Sequence, residues 1–191
     1  MIMKKMIYGV VIAFVALLNV GCDFLNVEEY NQPISTITEN VNFTATEAIV
    51  KQFDRLYINY SQHQSYVVEL LGPEENGERH AMIVDLLAPS TAEGMEGEYT
   101  VGYTGAFIAL GRVEVVNGAT GMISYGGCYY GKAKGGYISD EYAFLTEGKV
   151  TVSSVDGEYF ITVDAKSEEN NIWAYFNGPV EIIDGDTNTK Q

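Results

Sequence analysis

The C-terminal third of the chain alternates apolar and polar positions with a period of two, the pattern of strands that bury one face. Val150 and Val152 alternate with Thr151 and Ser153, Asp156-Gly157 intervenes, and Tyr159, Ile161 and Val163 alternate with Phe160, Thr162 and Asp164. Asp-Gly between two such runs predicts a two-residue type I′ hairpin, because that turn needs positive φ at both central positions. The turn then fixes the register: Val155 opposite Glu158, Val152 opposite Ile161 and Val150 opposite Val163. After the turn-rich Ser167-Glu168-Glu169-Asn170-Asn171, the apolar Ile172, Ala174 and Phe176 alternate with Trp173 and Tyr175. This predicts a further strand that resumes beyond Gly178-Pro179 as Val180 to Ile183, with Pro179 at a bulge or an edge because it cannot donate to a ladder.

Upstream, the pattern predicts strands around 43–51, 65–71, 80–88, 97–103, 106–116, 120–131 and 141–147. Residues 44–57 fit an amphipathic helix as well as a strand, since Ala48, Ile49, Phe53, Leu56 and Tyr57 have roughly helical spacing. Short connections and no recurrent helices predict an all-β fold: an antiparallel meander of about eight to ten strands closing as a barrel or, as second choice, a sandwich. Gly126-Gly127 and Gly135-Gly136 are expected to bend or bulge strands at its corners. No repeat or low-complexity segment calls for a second domain.

The N-terminus follows a different pattern. Lys4 and Lys5 precede an apolar run from Met6 to Leu18, and Asn19-Val20-Gly21-Cys22 closes it. That is the layout of a secretory signal, and the run is shorter than the roughly 20 apolar residues of a membrane span. Val20, Gly21 and Cys22 resemble the bacterial lipobox, with Asn19 standing where that motif prefers Leu. The resemblance implies cleavage before Cys22, which then carries a thioether-linked diacylglycerol and an N-acyl chain and anchors the protein to a membrane without spanning it. The expected organisation is a signal peptide at 1–21, a lipidated tether at 22–40, one β-domain at 41–184 and a disordered tail at 185–191. Asp23, Glu28 and Glu29 behind the cysteine resemble the acidic segments that accompany surface export in Bacteroidetes lipoproteins.

The whole chain has 11 basic and 26 acidic residues, a formal charge of −15. Such a surface repels nucleic acid and anionic headgroups and argues against both as partners. With Cys22 lipidated, Cys128 has no disulfide partner and is expected to be a buried, inert thiol.

Catalytic patterns are scarce. His63 and His80, the only histidines, have no partner at a metal-ligand spacing and read as polar loop residues. Ser124 misses the Gly-x-Ser-x-Gly elbow by one position. Glu74-Glu75-Asn76-Gly77-Glu78 reads as a hairpin loop, and Asp184-Gly185-Asp186-Thr187-Asn188 opens like a calcium loop but lacks the closing glutamate. No catalytic residue, metal or cofactor is assigned, and the expectation is a protein that binds rather than catalyses.

Aromatic residues are the candidate chemistry: 14 Tyr, 8 Phe and one Trp. Tyr125, Tyr129, Tyr130 and Tyr137 crowd one region, and Trp173 and Tyr175 sit opposite the core positions of their strand. Exposed rings bind apolar molecules or stack on sugar faces, so these six are the candidate ligand-binding residues. Gly97-Glu98-Tyr99-Thr100-Val101, Glu147-Gly148-Lys149-Val150-Thr151-Val152, Gly157 to Val163 and Tyr175-Phe176-Asn177-Gly178-Pro179-Val180 together resemble small β-barrel lipoproteins of Bacteroidetes described as calycin-like or lipocalin-like. The resemblance implies a fold and a lipid-anchored outer-membrane location, and carries no catalytic residue. The expected function is non-enzymatic binding of a small apolar ligand or glycan. The alternative is a structural or interaction lipoprotein: an adhesin, an accessory subunit, or an enzyme inhibitor presenting a loop at 72–80 or 88–97.

Overall fold

A computed structural model describes residues 34–53, 63–101, 107–108, 112–117, 122–126, 128–135 and 137–185. These form fourteen strands: β1 (Val41–Ala45), β2 (Glu47–Phe53), β3 (His63–Leu71), β4 (Glu78–Pro89), β5 (Gly97–Val101), β6 (Phe107–Ile108), β7 (Arg112–Asn117), β8 (Met122–Gly126), β9 (Tyr129–Lys134), β10 (Tyr137–Phe144), β11 (Glu147–Val155), β12 (Glu158–Ser167), β13 (Asn170–Pro179) and β14 (Glu181–Asp184). Twelve join one sheet in the order β1-β13-β12-β11-β5-β6-β4-β3-β2-β14, with β9 branching from β4 and carrying β10, while β7 and β8 pair separately. The chain is all-β, as its alternation requires.

The purely antiparallel meander is corrected. β1 pairs β13, β14 pairs β2 and β5 pairs β6 in parallel, so the sheet is mixed and contains more strands than eight to ten. Antiparallel neighbours leave a turn signature between them; parallel partners from opposite ends of the chain leave none. Among the described residues β1 and β14, the ends of the strand order, are not paired with each other. Yet only Thr46 separates β1 from β2, and only Val180 separates β13 from β14. Val41 faces Ile172 in one ladder and Ile49 faces Glu181 in the other, a slip of one residue. The same two segments therefore lie side by side at both ends of the order, and the sheet wraps one interior.

That interior is a single apolar cluster drawn from nearly every strand, including Phe43, Val50, Val68, Leu86, Tyr99, Val150, Ile161 and Phe176. Residues 44–53 resolve as strand rather than helix, because β3 and β14 supply backbone partners on both sides of β2; residues 54–57 lie outside the described residues. The described parts of the expected stretches 106–116 and 120–131 are β6 with β7 and β8 with β9.

Asp156 and Gly157 have φ of 54° and 85°, and the β11–β12 register is the one the Asp-Gly turn dictates. Asn76 and Gly77, at 54° and 81°, close a second tight turn in which Glu75 and Glu78 exchange both backbone hydrogen bonds. Gly135, at 58°, follows β9 in the connection to β10 instead of bending a strand.

Residues 34–40 belong to the folded domain, not to the tether. The Phe144 amide donates to Ile34 O at 2.9 Å and the Thr36 amide to Tyr142 O at 2.8 Å, Ile37 is buried, and the Asn171 amide donates to Asn40 Oδ1 at 2.8 Å. The polar composition of this stretch hides a strand-like attachment to the β10 edge. Residues 1–33, expected to hold the leader and the rest of the tether, and residues 186–191 lie outside the described residues.

The two loops proposed for an inhibitor differ in how they are packed. Residues 73–77 are exposed around the tight turn, and β4 begins at Glu78. In the 88–97 stretch Met95 is buried in the core, Tyr99 Oη donates to its carbonyl at 2.6 Å, and Ser154 Oγ donates to Glu96 Oε1 at 2.9 Å.

Candidate ligand-binding face

β13 is flanked by β12 and β1, and alternation along it points Ile172, Ala174 and Phe176 inward. Trp173 and Tyr175 consequently stand on the outer face, 36% and 41% exposed. Two residues of strand separate them by about 7 Å. Asp164 and Asn42 lie opposite Trp173 on the two neighbouring strands, and Thr162 and Thr44 lie opposite Tyr175. All four of these polar residues are exposed. Each ring is thereby bordered on both sides by side chains that donate or accept hydrogen bonds, at the strand spacing of about 4.8 Å. One row further, Lys149 lies opposite Asp164 and its ammonium donates to Glu98 Oε1 at 2.7 Å.

Of the other candidate rings, Tyr129 and Tyr130 do not join this face. Tyr130 is buried, with its hydroxyl 2.8 Å from His80 Nδ1, and His80 stacks on Phe43 with centroids 5.1 Å apart. Burial pushes the Tyr130 phenol above its ordinary range, with Glu141 adding to the effect. Tyr129 packs edge-on against Phe144, which in turn meets Tyr142 edge-on, and all three are buried. Tyr125 and Tyr137 are placed on β8 and β10 by their backbone, and their side chains lie outside the described residues. Cys22 lies outside them as well.

His63 and His80 both occupy strands, which corrects their reading as loop residues. Burial, then the nearby Lys132, hold the His80 imidazole below its usual value, with Glu141 and Glu75 opposing.

Sequence reading also missed a buried polar unit. Ser65 Oγ donates to Asp85 Oδ1 at 2.8 Å, and the Asp85 amide donates to Cys128 Sγ at 3.2 Å. Its available signal was a lone carboxylate inside the apolar run Met82-Ile83-Val84-Asp85-Leu86-Leu87. Burial, and then the Asp85 charge, push the Cys128 thiol well above its usual range. A thiol so shifted is a poor nucleophile, and in the Ser65–Asp85 bond the hydroxyl meets the carboxylate with no base between them. Among the described residues no group of three or more His, Cys, Asp or Glu is placed to hold a metal ion.

Two of the six candidate residues thus form a shared surface: a pair of aromatic faces on a β-wall, framed by hydroxyl, amide and carboxylate groups. Comparison with protein-family models, with curated proteins and with solved structures finds no match to this chain.

Proposed function

We propose that the chain is a non-enzymatic lipoprotein, anchored to the outer membrane through lipid on Cys22, that binds a glycan on the outer face of β13. The observation that carries the binding site is the exposure of Trp173 and Tyr175 beside polar cross-strand neighbours. Aromatic rings supply apolar area to the C–H face of a sugar, and the bordering groups supply hydrogen bonds to its hydroxyls. An enclosed small apolar ligand is disfavoured, because Val50, Val68, Leu70, Met82, Val84 and Leu86 are all sealed from solvent. The walls of an open pocket would be wet.

The anchor rests on Lys4-Lys5, the apolar run to Leu18, and Val20-Gly21-Cys22. Replacing Cys22→Ser is expected to move the protein from the membrane fraction to the soluble fraction, and retention in the membrane would overturn the anchor. For the binding face, Trp173 is the only tryptophan in the chain, so tryptophan emission reports on this site alone. Titration with soluble glycans is expected to shift that emission and shield it from acrylamide quenching. If glycans bind while leaving Trp173 emission untouched, the site lies elsewhere; a partner protein that shields Trp173 instead would favour the interaction-lipoprotein reading.

A further inference from the structure

We infer that the ligand of this face is an uncharged polysaccharide bound as an extended chain along β13; the inference rests on the glycan-binding reading above. The outward positions of β13 run Asn171, Trp173, Tyr175, Asn177, so that the two rings are bracketed by two carboxamides. Four positions at two-residue intervals cover about 20 Å of strand. This is longer than one sugar ring, so a monosaccharide would leave one end of the row empty. A carboxamide both donates and accepts, as a sugar hydroxyl does, and suits either end of a neutral chain.

The charges around the row make the ligand neutral. Lys149 and Lys166 are the cations nearest to it across β12. Lys149 is held by Glu98 at 2.7 Å, and Lys166 lies directly opposite Glu147 on β11 while its other neighbour is Asn171. Asp164 stands beside Trp173 itself. A uronate or sulfate chain would therefore meet one cation already paired with Glu98, a second only at the Asn171 end of the row, and the Asp164 carboxylate beside Trp173, on a protein of formal charge −15. A neutral chain meets no such repulsion, and Asp164 becomes an acceptor for its hydroxyls.

The full-length protein in detergent would be titrated with three soluble neutral polymers, a β-glucan, an α-mannan and an arabinoxylan, and with polygalacturonate, reading Trp173 emission and acrylamide quenching. At least one neutral polymer is expected to shield Trp173. Affinity is expected to fall tenfold or more in Tyr175→Ala and severalfold in Asn177→Ala, a change at an exposed position with little bearing on folding, while polygalacturonate stays silent. Shielding by polygalacturonate that equals or exceeds that of the neutral polymers would overturn the neutral assignment and leave the glycan face standing. Equal affinity for a disaccharide and its polymer would overturn the extended row alone. Silence from every polymer would overturn both readings.

Discussion

The strands β2–β3–β4 and the strands β11–β12–β13 line the same interior but differ on their backs. In β12 and β13 burial alternates almost without interruption, and the outward Thr162, Asp164, Trp173 and Tyr175 meet water. In β4, inward Met82, Val84, Leu86 and Ala88 are buried and so are outward Ala81, Asp85 and Leu87. The outer face of the neighbouring strands follows suit, with Ser65 1% and Lys51 9% exposed. A sheet buried on both faces has every position committed to packing, whereas a sheet with one free face can carry side chains chosen for another purpose. Exposed rings on the free face are informative because packing does not require them there.

Substitution at matched outward positions breaks or sharpens this contrast. Leu87→Ala on the back of β4 is expected to cost about 2–5 kcal/mol of stability in urea unfolding, the cost of truncating a buried leucine. Tyr175→Ala on the back of β13 is expected to cost less than about 1 kcal/mol, within the range of strand propensity alone. Equal losses would mean that the two backs are not different surfaces.

An effect smaller than that of Leu87→Ala is expected where the alternating region is tightest. Gly148, the second residue of β11, lies opposite Ala165, and a Cβ there would lie 2.8 Å from the Ala165 Cα and 2.9 Å from the Asp164 carbonyl oxygen. Both contacts are main-chain atoms of a strand paired on two sides, so neither swings away. Gly148→Ala is therefore expected to cost about 1–3 kcal/mol by overpacking, read in the same unfolding experiment. No loss would show that the β11–β12 pair can part locally. Ser65→Ala is expected to cost about 1 kcal/mol, the net value of one hydrogen bond to the buried Asp85. A neutral outcome would show that Asp85 does not depend on the Ser65 hydroxyl.

The same contrast explains what the sequence disclosed. Where one face is wet, alternation is visible: the register of Val150 with Val163 and the outward placement of Trp173 and Tyr175 both follow from residue order and one Asp-Gly turn. Where both faces are buried the period-two signal fades, and β2 reads equally well as a helix. Parallel contacts between the first and last strands have no turn to announce them. Tyrosine is also ambiguous in sequence, since it suits a half-buried strand as well as a binding surface. Tyr130 went to the core and Tyr175 to water, and only their neighbours across the sheet decide between them.

The smallest expected effect tests the seam where the doubly buried region meets β1. His80 stacks on Phe43 of β1, and its Nδ1 is hydrogen-bonded to the Tyr130 hydroxyl. Lys132 lies opposite it on β9. Burial and the Lys132 charge lower the His80 pKa in the folded protein, while Glu141 and Glu75 partly restore it. The neutral ring is therefore the form the fold prefers, and its contribution is complete above the unfolded value of about 6.5. As pH falls through the lower folded value the unfolded chain takes up the proton more readily, and that contribution is lost. Wild-type stability is thus expected to slope downward on acidification from about pH 6.5, ahead of the carboxylate transitions at lower pH. His80→Phe keeps a ring against Phe43 and removes the proton site, so it is expected to flatten that part of the curve. If the slope survives in His80→Phe, then the seam is not sealed at His80, and the wrapping of β4 against β1 is looser than the stacking implies.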